Sequence, residues 1–291
     1  MRKFLALAIA ALMVLLSVAS AFAEGGETGD FIVLSGSPED GAEAGTAGGN
    51  GSGRPVAMTD AGAVRGEPLV DSAVIREDDR EVIYITDWYP YVAVAYMDID
   101  YRCGCENTGT GFMVERNKLF TAAHCIVCTT HNQWADHIDF YFGFTTLNDY
   151  AYKYSGRWYA TVGNTFPNGY TTDGDWAVVK FYENVGDTTG WFGFRYDMPD
   201  SEITSKELHL LGYRFGTLRL SSGSASRGYG DLLNYQIDME PGNSGGPVFY
   251  LDGETPYAVA INIAENEEKQ TNYGYRITKE VYGYFMDLDN H

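Results

Sequence analysis

Short runs of β-branched and aromatic residues recur along this chain, separated by Gly, Asn, Asp and Ser, and this spacing constrains the fold most. The clearest runs are Val82-Ile83-Tyr84-Ile85, residues 91–96, 111–114, 140–142, 176–181, 208–211 and Val248-Phe249-Tyr250. Such side chains fit the pleated, half-buried surface of a sheet, and the residues between them favour turns. An all-β barrel or sandwich is therefore expected. Helical periodicity is confined to the end of the chain. There Ile277, Val281, Phe285 and Leu288 fall on one face and predict a single C-terminal helix docked on a barrel.

The first seventy or so residues follow different rules. Arg2 and Lys3 precede an apolar run over residues 4–18, and Ala21-Phe22-Ala23 has the small-x-small form of a cleavage site. Residues 1–23 thus read as a secretory signal peptide, with no membrane association after its removal. Residues 24–72 are rich in Gly, Ala, Ser, Asp and Glu and nearly devoid of aromatics, so they cannot bury enough surface to offset the entropy of ordering them. They read as a disordered pro-segment. About 220 residues remain, enough for one large or two small β domains. The net charge of −20 offers no basic stripe to neutralise phosphates, so no nucleic-acid partner is expected.

Gly242-Asn243-Ser244-Gly245-Gly246-Pro247 carries the chemistry. Glycines around a serine let the backbone turn tightly and bring N–H donors close to whatever the hydroxyl attacks, as acyl transfer requires. Taken alone, the stretch reads equally well as a Gly-rich turn leading into a strand. A base decides between the two. His124, in Thr121-Ala122-Ala123-His124-Cys125, has small neighbours that leave room around its ring; His131, His137, His209 and His291 have no comparable setting. Asp175, in Asp173-Gly174-Asp175-Trp176, opens an apolar strand, where its carboxylate can be drawn under the surface to orient an imidazole. The chain order His124, Asp175, Ser244 is that of a Ser-His-Asp triad on a β-barrel fold.

The segments around His124 and Ser244 resemble the signatures of trypsin-like serine proteases. The resemblance is closer to the secreted bacterial glutamyl endopeptidases and covers nearly everything after residue 72. Residues 74–80 resemble the start of the mature enzyme in that branch, and residues 111–114, 185–193 and 276–281 resemble other segments of it. The resemblance implies two antiparallel six-stranded β-barrels with a C-terminal helix, the active site lying in the cleft between the barrels. Residues 73–195 would form the N-terminal barrel with His124 and Asp175. Residues 196–291 would form the C-terminal barrel with Ser244 and the helix. A secreted, monomeric serine endopeptidase is implied, made as a zymogen processed near residues 72–74, acting on protein or peptide substrates without cofactor or metal. Its oxyanion donors would be the N–H groups of Gly242 and Ser244. A catalytically inert binding module on the same fold is the alternative.

Two features depart from that family. Its members often carry a cysteine fifteen residues before the catalytic histidine, where this chain has Gly109; it has Cys103, Cys105, Cys125 and Cys128 instead. An even count in an exported chain predicts disulfides, and pairing within Cys103-Gly104-Cys105 would be strained, so cross-pairing of the two clusters is expected. A four-thiolate zinc site is the alternative. The second departure is the specificity pocket, mapped to Met239, Ile261 and Asn262. Glutamyl endopeptidases place a histidine on the strand after the serine and a threonine five residues before it; here the corresponding stretch, residues 258–263, has no histidine, and Met239 stands five residues before Ser244. A buried substrate carboxylate would lack its partners, which weighs against Glu specificity.

Overall fold

The computed structural model describes residues 80–163, 166, 172–266 and 271–290. The expected signal peptide, pro-segment and processing site lie outside these residues. A two-residue strand, β1 (Glu81–Val82), opens the described chain. Eight strands then build the first barrel: β2 (Val94–Tyr101), β3 (Glu106–Glu115), β4 (Lys118–Thr121), β5 (Val127–Cys128), β6 (Gln133–Phe142), β7 (Tyr152–Tyr154), β8 (Trp158–Val162) and β9 (Ala177–Phe181). A short helix, α1 (Gly186–Thr189), β10 (Gly193–Phe194) and a second short helix, α2 (Asp200–Ile203), lead to the second barrel. That barrel contains β11 (Leu208–Arg214), β12 (Thr217–Gly223), β13 (Ala225–Arg227), β14 (Leu232–Tyr235), β15 (Pro247–Asp252), β16 (Thr255–Asn266) and β17 (Thr271–Arg276). The helix α3 (Lys279–Asp287) follows, continued by a 3-10 turn over Leu288–Asn290.

The two curled sheets are the expected all-β pair. Short edge pieces raise their strand numbers among the described residues to eight in the first sheet and nine in the second. The second sheet draws two strands from outside its own stretch of chain. β1 pairs antiparallel with β12, and β10 pairs parallel with β16. Of the run at residues 82–85, only Val82 lies in a strand, and Tyr84 and Ile85 are exposed.

The first four residues of β2 are all buried, after which the strand alternates with Asp98 and Asp100 facing outward. A strand buried on both faces loses the period-two signal of a half-exposed one. At the first barrel's centre, Phe112 meets Phe120 and Phe192 edge-on at 5.9 and 5.7 Å between centroids, a favoured aromatic geometry. The apolar face of α3 closes this barrel. Phe285 meets Phe120 at 5.8 Å and Phe194 at 5.2 Å, and the buried Lys118 lies 4.1 Å above the Phe285 ring. Lys118 Nζ pairs with Glu115 at 3.0 Å and Asp289 at 2.7 Å, so the buried cation is neutralised from both sides. The side chain of Thr278 caps α3 by accepting from the Val281 N–H at 3.3 Å. Among the described residues no helix is long and apolar enough to cross a membrane.

Candidate active site

His124 sits in a single 3-10 turn, Ala123–Cys125, directly after β4. Asp175 is fully buried in the loop before β9, and β9 pairs with β4. That pairing brings the two residues together from fifty-one positions apart. One carboxylate oxygen of Asp175 accepts from the His124 backbone N–H at 3.0 Å, and the other pairs with His124 Nδ1 at 2.8 Å. The carboxylate thus fixes both the backbone and the ring. Burial works against the imidazolium, but the charge and hydrogen bond of Asp175, with Cys125, outweigh it and hold His124 well above the usual imidazole range.

Ser244 comes from the second barrel and meets the histidine turn across the gap between the two sheets. Its carbonyl accepts from the Thr110 N–H at 2.8 Å and lies 3.6 Å from the sulfur of Cys125, the residue after His124. Thr110, buried on β3, commits all its polar groups to this junction. Its hydroxyl donates to the Gly242 carbonyl at 2.7 Å and accepts from the Tyr213 N–H at 2.9 Å. Its own carbonyl accepts from the Thr121 hydroxyl at 2.7 Å. Three of these partners belong to the second barrel, so one threonine of the first barrel locks the serine loop to it.

The loop itself is a tight turn. The Asn243 N–H donates to the Glu240 carbonyl at 2.9 Å, and the Asn243 side-chain oxygen accepts from the Glu240 N–H at 2.8 Å. Gly245 N–H donates to Asn262 O at 2.7 Å and Gly246 N–H to Asn243 O at 3.0 Å. Among the described residues, the N–H groups of Gly242 and Ser244 donate to no backbone carbonyl. Gly245 adopts φ +87°, and a Cβ there would meet the Thr110 carbonyl at 2.1 Å. Only glycine fits a left-handed conformation at so close an approach. Beside the turn, Glu240 pairs with Arg80 at 2.5 Å and lies 3.6 Å from Arg214, tying the start of the described chain to the serine loop.

The three residues mapped to a specificity pocket occupy different environments. Met239 is buried with Ile237, Val259 and Ala260 in the second barrel's own core. Ile261 is buried on β16 between Pro247 and Tyr275 of the neighbouring strands. Asn262 holds the serine loop: its side-chain N–H donates to the Asn243 carbonyl at 3.1 Å, and its side-chain oxygen accepts a short hydrogen bond from the Tyr235 hydroxyl. Thr110 and Tyr235, which sequence reading did not single out, therefore do much of the positioning. Thr110 offered a weak signal, as the residue between Gly109 and Gly111 just before an apolar strand.

All four cysteines are free thiols, where cross-paired disulfides were expected. A Cβ on Gly109 would lie 2.7 Å from the Cys125 sulfur. Cys125 therefore faces the position where family members often carry a cysteine, and this chain supplies none. The other three cysteines gather elsewhere, beside His131.

Comparison with known proteins fits this geometry. A glutamyl endopeptidase of Bacillus licheniformis is 29% identical over 242 residues, covering 77% of this chain and 71% of its own. A protein of Bacillus subtilis named extracellular metalloprotease is 29% identical over 222 residues, covering 74% of this chain and 69% of its own. Among solved structures, a Glu endopeptidase bound to MPD superposes with a TM-score of 0.64 at 23% identity, over 75% of this chain and 100% of that one. Residues 109–261, a span that holds His124, Asp175 and Ser244, match the trypsin-like peptidase domain. With that match over more than half its length, the chain belongs to the trypsin-like serine peptidases, near their glutamyl endopeptidase branch.

Proposed function

We propose that this serine endopeptidase is exported as a zymogen and cleaves peptide bonds through Ser244, His124 and Asp175. The observation that carries the reading is the pair of hydrogen bonds that buried Asp175 accepts from the backbone N–H and the ring of His124. It leaves Nε2 as the ring nitrogen facing away from the carboxylate. In the reaction, Ser244 Oγ attacks the scissile carbonyl while His124 Nε2 takes its proton, and Asp175 stabilises the imidazolium. The negative oxygen of the tetrahedral intermediate is received by the N–H groups of Gly242 and Ser244. Collapse releases the amine, protonated by His124, and water then hydrolyses the acyl-enzyme by the same route.

Export is supported by the signal-like residues 1–23 and by the name of the extracellular Bacillus subtilis relative. Residues 24–72 supply a pro-segment of suitable composition. Arg80 would anchor the new N-terminal segment on Glu240 after processing. A division near residue 195 would leave His124 and Asp175 with the first barrel and Ser244 with the second.

An apolar first substrate residue is favoured over glutamate. Met239 is buried in the second barrel's core and offers no hydroxyl, and the Asn262 amide is already engaged by Tyr235 and Asn243. An unpaired substrate carboxylate there costs several kcal/mol, on the order of a thousandfold in selectivity. Digestion of a peptide library by the processed protein tests the reading. Cleavage after apolar residues, lost in Ser244→Ala, is the expected result. Cleavage confined to glutamate would overturn the specificity, and an intact library would overturn the activity.

A further inference from the structure

We propose that Cys103, Cys105, Cys128 and His131 form a structural zinc site at one end of the first barrel. The ligands come in pairs from two hairpins. Cys103 and Cys105 occupy the turn between β2 and β3, and Cys128-Thr129-Thr130-His131 spans the turn between β5 and β6. Pairing of β2 with β6 sets the hairpins side by side, with Tyr101 opposite Ala135 and the Arg102 N–H donating to the Trp134 carbonyl at 3.1 Å. The three sulfurs and a ring nitrogen of His131 all lie within 4.8 Å of one another. His131 Nδ1 is 3.3 Å from the Cys105 sulfur and 3.7 Å from that of Cys128. A tetrahedral zinc ion with bonds of about 2.3 Å to sulfur and about 2.0 Å to nitrogen places its ligands roughly 3.5 to 3.8 Å apart. The side chains are already gathered at that scale.

A disulfide explains the cluster less well. It would use two of the three sulfurs, strand the third, and give His131 no role. The fourth cysteine does not supply a partner, because Cys125 is turned toward Gly109 and the Ser244 carbonyl. Zinc accounts for all four side chains at once. Binding converts three thiols to thiolates, releases their protons to solvent, and takes neutral His131 through Nδ1, with no change of oxidation state. Four protein ligands close the coordination sphere, so the ion is structural and takes no part in peptide hydrolysis. Its place gives it a use. The Tyr101 hydroxyl, next to one ligand hairpin, donates to the His124 carbonyl at 2.9 Å, and the Ala135 N–H donates to the Ile126 carbonyl at 2.8 Å. Zinc would pin these hairpins together and so brace both sides of the turn that carries His124. The inference does not depend on the proposed substrate preference or on export.

The test is metal analysis of the purified full-length protein, with Co²⁺ exchanged for Zn²⁺ in a second sample. About one zinc per chain and the thiolate charge-transfer and visible bands of tetrahedral cobalt are expected. Cys128→Ser and His131→Ala should each lower zinc affinity by about tenfold or more, and Cys125→Ser should leave it unchanged. Should the ligand variants fail to fold, thiol alkylation of the wild-type protein serves instead, with Cys103, Cys105 and Cys128 protected until a chelator is added. A disulfide within that trio, zinc far below one per chain, or cobalt without thiolate bands would overturn the proposal.

Discussion

Asp175 and His124 are coupled so tightly that the pH dependence of the enzyme should report on them directly. His124 is held well above the usual imidazole value of 6.5, because Asp175 outweighs the effect of burial. Catalysis needs the neutral ring, so kcat/KM should rise with pH through an acid limb lying above that value. Stability runs the other way. The contribution of the His124 imidazolium is complete below the unfolded value and is lost as pH rises through the raised folded one. Asp175→Asn should move the acid limb down toward the ordinary imidazole range and lower kcat by about 10⁴-fold. A pH series of kcat/KM on both proteins checks this, and an unshifted limb in the variant would assign it to another group. The three candidate triad residues could be singled out in the sequence because each lies in a distinctive local stretch, and the fold brings His124 and Asp175 into contact. Thr110, Tyr235 and His131 could not, since their roles depend on partners brought near by pairing and not by adjacency. Tyr235 reaches Asn262 across twenty-seven positions, and Thr110 reaches Gly242 across one hundred and thirty-two.

Among elements, α3 shows how far a periodic pattern carries. The stripe of Ile277, Val281, Phe285 and Leu288 predicted a helix, and the helix forms over Lys279–Asp287. What the stripe covers was not legible. The helix follows the second barrel in the chain, yet Phe285 packs on Phe120 of β4, Tyr284 lies 5.3 Å from Trp176, and the Leu288 carbonyl accepts from the Tyr159 hydroxyl at 2.9 Å. Phe285→Ala should destabilise the protein by about 3–5 kcal/mol, read as a lower urea midpoint with an unchanged slope. A loss below about 1 kcal/mol would mean that α3 contributes little to the first barrel. The strand runs were legible where one face or both faces are buried, except that Tyr91–Ala93, at the start of the run over residues 91–96, forms a 3-10 turn before β2. The run at residues 82–85 misled because composition alone cannot supply a partner strand, and β1 finds one for only Glu81 and Val82.

For the whole molecule, the all-β class followed from the strand runs and the two-barrel plan from the family resemblance. The way the barrels meet did not. Their junction joins aromatic packing, such as Tyr96 edge-on to Tyr213 at 5.8 Å, to specific hydrogen bonds. Thr110 is bonded to Gly242, Ser244 and Tyr213, and the Phe144 N–H donates to the buried Tyr213 hydroxyl at 3.2 Å. Buried hydrogen bonds of this kind fix one relative placement, since leaving any of them unmade costs about 1–3 kcal/mol. On the proposed reading, the same junction brings the nucleophile from one barrel to the base from the other, so catalysis would be a property of the assembled pair. The most direct test of that claim is intact-mass analysis of the processed protein after treatment with a fluorophosphonate. One covalent adduct is predicted, mapped by peptide sequencing to Ser244 and absent from Ser244→Ala. An active protein that takes up no adduct, or carries it on another residue, would contradict the assignment.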